Sequence, residues 1–224
     1  MQKINYDLVM QELSEKVKGK SLLLHACCAP CSSSVLLRLS SFFNITIFYY
    51  NPNIDTKEEY EKREVELEHL VSIYNERHVS FTPINLIISP YDNSEFKAIA
   101  KGFEECKEGG ERCARCYQLR LAKTYKKAKL EGFNFFCSTL SVSPYKNATF
   151  INEIGFSLNE CTEKTEKYSN ELLQNFSFPL YLPNDFKKRN GYLDSINISK
   201  ELSLYRQDYC GCEFSKKYLS SRQD

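Results

Sequence analysis

Short apolar runs alternate with helical patterns along most of this chain, and the alternation constrains the fold more than any other feature. Residues 21–26 (SLLLHA), 45–51 (ITIFYYN) and 132–140 (GFNFFCSTL) have the length and composition of buried strands. Between and after these runs, helical spacing is found over residues 32–39, 56–77, 113–130 and 147–154. Strands that alternate with helices predict an α/β fold with an open, mostly parallel sheet and helices on both faces.

Helical spacing also predicts which side chains face the core. A helix over residues 6–17 would place Leu8, Leu13 and Val17 on one face. The long charged helix over 56–77 would bury Tyr60, Val65, Leu67, Leu70, Val71 and Tyr74. One or two short strands are predicted within residues 79–88, and a further helix over 92–101.

With 224 residues, the chain is long enough for a single α/β catalytic domain over residues 1–224. The alternation ends near residue 160, so residues 160–224 are predicted to form a C-terminal appendage packed on the sheet. A helix predicted near residues 199–206 lies in this segment. The appendage could bring the last cysteines of the chain back towards the earlier ones.

Composition excludes several classes of protein. The formal net charge is +1, so an RNA partner would have to be held by local basic patches rather than by a global positive field. The N-terminal segment carries acidic residues and has no apolar stretch typical of a signal peptide. Because no apolar run approaches the roughly 18 residues that span a bilayer, we expect a cytoplasmic protein without membrane contact.

Seven of the ten cysteines fall into three groups. The groups are Cys27, Cys28 and Cys31; Cys113 and Cys116; and Cys210 and Cys212. In a reducing cytoplasm, clustered cysteines more often bind metal or perform redox chemistry than form structural disulfides. Cys27 and Cys28 directly follow the first predicted strand, at the sheet edge where parallel sheets bind ligands. The first two groups are therefore candidate metal ligands.

The spacing of the cysteines leaves the metal open. Two C-x-x-C pairs are typical of a Cys₄ zinc site, but zinc ribbons separate their pairs by only about 15–20 residues. Here the pairs would come from two distant loops, and Cys27 adds a fifth thiol. Thiolates also hold iron–sulfur clusters, whose motifs vary more in spacing. An iron–sulfur cluster, a structural zinc ion and simple packing of small apolar thiols all remain open, and the cluster is favoured.

Cys210 and Cys212 form a different pattern, with one glycine between them. A disulfide between such close positions closes a tight, strained ring, and strained disulfides exchange readily. Gly211 lacks the Cβ that would obstruct the turn. The pattern favours a redox-active pair; metal ligation by one of the two and idle thiols are the alternatives.

The isolated cysteines and the histidines suggest simpler roles. Cys137 and His25 lie in apolar strands and are predicted to be core residues, whereas His69 and His78 are predicted to face solvent. Cys106 and Cys161 have no partner at motif spacing.

Two basic clusters could contact RNA phosphates. The first is Arg112, Arg115, Arg120, Lys123, Lys126, Lys127 and Lys129; the second is Lys187, Lys188 and Arg189; and Arg206 precedes the last cysteine pair. Such clusters bind phosphate, although a solvated helix face explains the lysines equally well. Among the 15 tyrosines and 15 phenylalanines, a few could stack on an extruded base.

Together, several motifs resemble those of the QueH family of epoxyqueuosine reductases over residues 21–219. They are LLLHACCAPCSS, FYYNPNIDTKEEYEKR, YD at 91–92, GGERCARCYQLRL, STLSVSPYKN, DFKKRNG and LYRQDYCGCEFS. The resemblance implies an adenine-nucleotide hydrolase-like α/β fold. It also implies an oxidoreductase that reduces the epoxide of epoxyqueuosine to the alkene of queuosine, without cobalamin. The substrate would be the wobble nucleotide, position 34, of tRNAs with GUN anticodons (Tyr, His, Asn and Asp).

The resemblance also implies roles for individual residues. The family's [4Fe-4S] ligands map onto Cys27, Cys28, Cys113 and Cys116, and its redox-active disulfide maps onto Cys210 and Cys212. An electron donor is needed to restore the enzyme. We also expect that a second metal ion beside the cluster could polarise the leaving oxygen, with Cys31 and Asp92 as candidate ligands. Alternatively, Tyr91 or a lysine could donate the proton.

Two other functions were weighed against this one. A zinc-stabilised RNA-binding protein without catalysis would contain zinc and would not need Cys210. An ATP-dependent tRNA thiolation enzyme would need a Ser-Gly-Gly phosphate loop after the first strand, where this chain has His25-Ala-Cys-Cys. No G-x-G-x-x-G motif occurs either, so we expect no nucleotide cofactor.

Overall fold

The structure is a computed structural model that describes residues 4–158, 168, 173 and 179–220, with side chains up to residue 216. Cys161 lies outside the described residues. Within them, no helix has both the length and the apolar composition needed to cross a membrane.

Five parallel strands form one open sheet in the order β3-β2-β1-β4-β5. The strands are β1 (Ser21–Ala26), β2 (Asn44–Tyr49), β3 (Asn85–Ile88), β4 (Phe135–Ser138) and β5 (Leu180–Tyr181). At the centre of the sheet, Leu24 of β1 lies between Ile47 of β2 and Cys137 of β4. The predicted α/β fold with an open parallel sheet is confirmed.

The described ranges contain eight α-helices. They are α1 (Tyr6–Lys16), α2 (Ala29–Leu39), α3 (Lys57–Glu76), α4 (Ser94–Ala100), α5 (Glu111–Leu130), α6 (Ala148–Leu158), α7 (Gly191–Glu201) and α8 (Glu213–Ser220). A 3-10 turn, Thr139–Val142, follows β4 directly.

The chain order of the strands places a crevice beside the first cysteines. From β1 the chain moves outward to β2 and β3, then returns to the other side of β1 for β4 and β5. The direction of winding therefore reverses between β1 and β4. Ligands of such sheets bind at this reversal, outside the carboxyl ends of the two strands. Cys27 follows β1 there, and Thr139 follows β4.

Local sequence explains where the helices beside this crevice begin. Pro30 occupies the first turn of α2, where its missing N–H costs nothing, so the helix starts immediately after Cys28. The side chain of Thr56 caps α3 by accepting a hydrogen bond from the backbone N–H of Glu59 at 3.2 Å. Glu58 and Glu59 lie in the first turn of α3, where their negative charges interact favourably with the positive end of the helix dipole.

Three details of the predicted helices are wrong. Leu8 is 52% exposed, because α1 turns Met10 rather than Leu8 towards the core with Leu13 and Val17. Val65 is 62% exposed, and Arg63 takes the buried place on α3 instead. The helix predicted near 199–206 is α7, which begins earlier, at Gly191, and ends at Glu201. A Cβ at Gly191 would lie 1.9 Å from the carbonyl oxygen of Phe186, so only glycine fits this helix start.

The C-terminal segment contributes to the sheet as well as packing on it. β5 extends the sheet beside β4, and α7 packs against α2. Cys137 in β4 and His25 in β1 are buried, whereas His69 and His78 are exposed, as predicted. The division into one domain with an appendage over 160–224 stays a prediction.

Candidate metal and redox site

The first cysteine group forms a compact set of three thiols at the end of β1. The Cys27 and Cys28 sulfurs lie 3.7 Å apart, and the Cys27 sulfur lies 3.7 Å from Thr139 Oγ1. With Cys31, in the first turn of α2, all three sulfurs lie within 4.8 Å of one another. Cys27 and Cys28 are buried and Cys31 is half-buried. This group could bind a metal.

Without a metal, hydrogen bonds among the three thiols shift their pKa values in opposite directions. Hydrogen bonds from the Cys28 and Cys31 thiols lower the pKa of Cys27 well below its usual range. The hydrogen bond to Cys27 raises the pKa of Cys28 to about 11, and hydrogen bonds to Cys27 and Cys28 raise that of Cys31 well above its usual range. These interactions, with burial, oppose ionisation of the second and third thiols. A bound metal ion would displace the thiol protons, because cysteine binds metal as the thiolate.

The second group lies at the beginning of α5. The predicted helix start at Cys113 is two residues late, because α5 begins at Glu111. The backbone N–H of Gly109 donates to the Cys113 sulfur at 3.3 Å. Cys116, one turn further on, is buried against Phe96. Burial raises the pKa of Cys116 to about 12 although the charge of Arg120 lowers it, so this thiol stays protonated until a metal displaces the proton.

The third group lies in the loop before α8, where Cys210 and Cys212 are free thiols. The carbonyl oxygen of Cys210 accepts hydrogen bonds from Asn53 Nδ2 and Arg63 Nη1, both at 3.3 Å. The carbonyl of Gly211 accepts one from the backbone N–H of Asp55 at 3.0 Å. These bonds fasten the loop to the segment that follows β2. Burial also raises the pKa of Cys212.

One cleft of about 480 Å³ is lined by members of all three groups: Cys27, Cys31, Cys113 and Cys210. A small adjoining cavity of about 20 Å³ is lined by Cys113, Cys116, Cys210 and Cys212. The structure therefore brings the three groups together from distant parts of the chain. The last pair does return to the first two, as the sequence suggested. Which thiols bind metal and which cycle as a disulfide stays a prediction.

Two buried arginines lie against this thiol cluster, and the sequence gave no indication that they are buried. Arg63 and Arg120 are each 1% exposed. Arg63 Nη2 and Arg120 Nη1 are buried with no hydrogen-bond partner in the described structure. Burial lowers the pKa of Arg120, but interaction with the neighbouring sulfurs of Cys116 and Cys27 more than offsets this and raises it above its usual value. Arg63 forms an ion pair with Glu59, and Arg120 donates hydrogen bonds to Asn51 and His25. One nitrogen of each guanidinium therefore stays unsatisfied, which is unfavourable in a buried site. Thiols around a cleft, with two buried cations beside them, fit a negatively charged metal–thiolate centre.

His25 connects Arg120 to the end of β1. Arg120 Nε donates to His25 Nε2 at 3.2 Å, and the other ring nitrogen lies 2.8 Å from Ser138 Oγ. Burial, followed by the charge of Arg120, lowers the pKa of His25 to about 3. The ring is therefore neutral. It is a buried core residue, as predicted, and adds no charge to the cleft.

Of the two proton donors considered from the sequence, a lysine lines the cleft and Tyr91 does not. The hydroxyl of Tyr91 donates to the carbonyl of Asp55 at 2.9 Å. Lys146 lines the cleft together with Cys27 and Cys210. Burial lowers the pKa of Lys146, but negative charge on Cys210 and Cys27 more than offsets this, so the ammonium stays charged. The signal for Lys146 in the sequence was its place in STLSVSPYKN.

Asp92 is not placed to bind a metal with the thiols. It is exposed, and its Oδ1 accepts a hydrogen bond from the backbone N–H of Ser94 at 2.8 Å, at the start of α4. The group of potential ligands found in the described residues contains Cys31 instead.

Comparisons with a family model and with known proteins all identify the same family. The family model described as epoxyqueuosine reductase QueH matches residues 22–218. A protein with that name from Streptococcus pyogenes serotype M1 is 38% identical over 96% of this chain and 80% of its own length. One from Staphylococcus epidermidis is 36% identical over 96% of this chain and 85% of its own length. One from Thermotoga maritima is 32% identical over 87% of this chain and 90% of its own length. The family match spans all three cysteine groups.

Proposed function

Because the chain belongs to the QueH family of epoxyqueuosine reductases, which are oxidoreductases of tRNA modification, we propose that it reduces epoxyqueuosine at position 34 of tRNAs with GUN anticodons. The product is queuosine, and this is the last step of its formation. The observation that carries the proposal is the convergence of three cysteine groups on one cleft at the switch point of the sheet. This cleft supplies thiols for both a redox cofactor and a dithiol.

The proposed cofactor is a [4Fe-4S] cluster held by Cys27, Cys28, Cys113 and Cys116. When bound, such a cluster transfers electrons one at a time. The support for it is the thiol donor set, together with one buried nitrogen on each of Arg63 and Arg120 that has no hydrogen-bond partner among the described residues. Cys31 is left over and is the proposed ligand of a second metal ion beside the cluster.

One distance favours a single tetrahedral ion instead. A zinc ion with Zn–S bonds of about 2.3 Å holds its sulfurs roughly 3.8 Å apart, and Cys27 and Cys28 lie 3.7 Å apart. This spacing keeps the zinc-stabilised RNA-binding protein as the second candidate function. That candidate does not explain why Cys210 and Cys212 lie in the same cleft as the metal thiols.

The overall reaction balances with the dithiol as the source of electrons. Reduction of the epoxide to an alkene needs two electrons and two protons, and it releases the oxygen as water. The Cys210 and Cys212 thiols supply both electrons and both protons when they form a disulfide. An external electron donor then reduces the disulfide, which closes the cycle. The donor's identity does not enter this balance.

Lys146 is the proposed electrophile for the leaving oxygen. Its ammonium lies in the cleft between the first and third cysteine groups. A hydrogen bond from this cation to the epoxide oxygen would offset the negative charge that develops as the C–O bond breaks. We expect Lys146→Met to lower turnover by roughly 100-fold or more while the metal content is unchanged. Lys146→Arg, which keeps the charge, should recover part of the loss.

The decisive test combines metal analysis with an assay. After anaerobic purification, about four irons and four sulfides per chain, together with reduction of tRNA that carries epoxyqueuosine, would support the proposal. One zinc ion, no sulfide and no turnover would overturn it in favour of the RNA-binding protein. Cys210→Ser should keep its iron and lose turnover with a physiological donor. Unchanged turnover in this variant would refute the role of the dithiol.

A further inference from the structure

Most basic side chains that the sequence offered for RNA contact already have partners. The ion pairs in the two clusters are Arg115–Glu111, Lys123–Glu95, Lys127–Glu131, Lys187–Asp185 and Arg189–Asp7. Arg112 and Arg120 are buried. Lys126 and Lys188 are exposed, but neither lines the cleft. The outer face of α5 therefore does not offer a row of unpaired positive charges. Phosphate contact near the thiol cleft must come from other residues.

Arg206 is such a residue. It is exposed and lines the thiol cleft, and it forms no ion pair with any carboxylate in the described part of the chain. Its guanidinium lies 5.5 Å from the ring centroid of Tyr192, which also lines the cleft. This contact orients the side chain without neutralising its charge. Glu108 and Asp208 line the cleft as well, so the positive field is local to the cations rather than spread over the whole opening.

Tyr145 supplies an aromatic surface at the same cleft. Its side chain is 79% exposed, and its ring contacts no other ring among the described residues. It precedes Lys146, whose backbone N–H donates to the carbonyl of Ser143 at 3.2 Å in a turn. Tyrosine exposed to this degree beside a reactive cleft is available to stack on a base.

We propose that Tyr145 and Arg206 form the contact with the anticodon loop, in which Tyr145 stacks on an unpaired base next to the modified nucleotide and Arg206 binds a backbone phosphate. The inference rests on the proposed function, because the modified base must leave its stack to enter the cleft that holds Lys146 and the thiols. Enzymes that act on a base extrude it and hold the flanking nucleotides by stacking and by phosphate contacts.

The test is binding of an unmodified anticodon stem–loop RNA, labelled with a fluorophore and titrated at several salt concentrations. We expect Tyr145→Ala to weaken binding by roughly 5- to 100-fold. Arg206→Gln should reduce the slope of log affinity against log salt by about 0.7, the value for one contact to a single strand. Lys123→Gln and Lys127→Gln are matched controls, because each removes one charge from an existing ion pair. They should bind as the wild type does.

A second measurement separates this inference from the proposed function. With saturating tRNA that carries epoxyqueuosine, both variants should keep the wild-type turnover number and show a raised KM. If the wild type reduces this tRNA while both variants bind RNA normally, the contact is wrong and the function stands. If the variants lose RNA affinity but the wild type reduces nothing, the contact stands and the function fails. Controls as impaired as Arg206→Gln would also overturn the contact.

Discussion

At the scale of single residues, Gly211 determines how the last cysteine pair can be held. Its φ of +115° is one that side chains with a Cβ rarely adopt. A Cβ there would also lie 3.0 Å from Ile54 Cγ1 and 3.2 Å from Arg63 Nη1. Ile54 lies in the segment after β2, and Arg63 lies in α3. The glycine therefore allows the loop to approach the thiol cleft closely, besides allowing the turn itself.

We expect Gly211→Ala to destabilise the protein by about 2–4 kcal/mol, the sum of positive-φ strain and overpacking. Turnover should fall with it, because the loop cannot keep its place. Gly102→Ala is the matched control, since Gly102 has a φ of +81° but open space around its Cβ position. It should lose only about 1–2 kcal/mol. Urea unfolding measures both variants. Hydrogen exchange at the Asp55 amide, which donates to Gly211, should accelerate in the first variant alone. Equal losses in the two would contradict the steric argument.

The sequence identifies Gly211 and Arg120 as notable residues, but it does not predict which side chains surround them. It placed Gly211 between the cysteines and gave a turn as the reason for a glycine, but it could not supply Ile54 or Arg63 as the neighbours. Arg120 belongs to the basic cluster that the sequence offers for RNA contact, yet it is fully enclosed beside His25. Charge predicts exposure only on average. Burial of Arg120 also depends on His25 and Asn51, hydrogen-bond partners that distant segments bring to it.

At the scale of elements, strands were easier to predict than the packing of helices. Residues 21–26 match β1, because every position after the first is buried and apolar composition alone marks such a strand. The helix 56–77 matches α3 within one residue at each end. Its buried face was misjudged at Val65, because the helix turns Arg63 towards Cys210 instead. The C-terminal helix was misplaced because its start depends on contacts of Gly191 with the residues around Phe186.

The packing of α6 on β5 allows a prediction that opposes helix propensity. Alanine normally stabilises a helix by about 1 kcal/mol relative to glycine. A Cβ on Gly155 of α6, however, would lie 2.3 Å from ring atoms of Tyr181. That ring is fully buried and packs edge-on against Phe136 and Phe156, so it cannot move aside freely. We expect Gly155→Ala to destabilise the protein by about 1–3 kcal/mol, measured by urea unfolding.

A control and a double variant complete this test. Ser157→Ala lies in the same helix, and among the residues that the structure describes its hydroxyl bonds only to the carbonyl of Ile154 within α6. It should change stability by no more than about 0.5 kcal/mol. In a Tyr181→Leu background the smaller side chain leaves room for the Cβ, so the effect of Gly155→Ala should shrink. An undiminished loss in that background would place the steric conflict elsewhere.

At the scale of the whole molecule, the sheet and the cleft differ in what holds them together. The sheet is built around a continuous apolar core, and the sequence predicts its first four strands but not β5. The cleft instead joins the end of β1, the start of α5 and the loop before α8. The sequence indicated these groups through their motifs but not how they meet. Their convergence follows from the strand order and the C-terminal path, which no local pattern determines.

This difference predicts how the protein responds to loss of the proposed metal centre. A ligand present at 100 times its dissociation constant stabilises the folded state by about 2.7 kcal/mol, so anaerobic removal of the metal should lower the thermal midpoint by roughly 5–10 °C. The circular dichroism of the backbone should change little, because the core of the sheet does not need the metal. Hydrogen exchange should rise most around Cys113 and Cys210, the two cysteines of the cleft that do not belong to the first cysteine group.

Two variants decide whether the metal joins these segments. Cys113→Ser should purify with less metal and show the low thermal midpoint without any chelator. Cys106→Ser, which alters a half-buried thiol outside the three groups, should behave as the wild type in both respects. A Cys113→Ser protein with its full complement of metal and an unchanged response to chelation would mean that α5 takes no part in the centre. The metal would then belong to Cys27, Cys28 and Cys31 alone, which are already close enough to share a single ion.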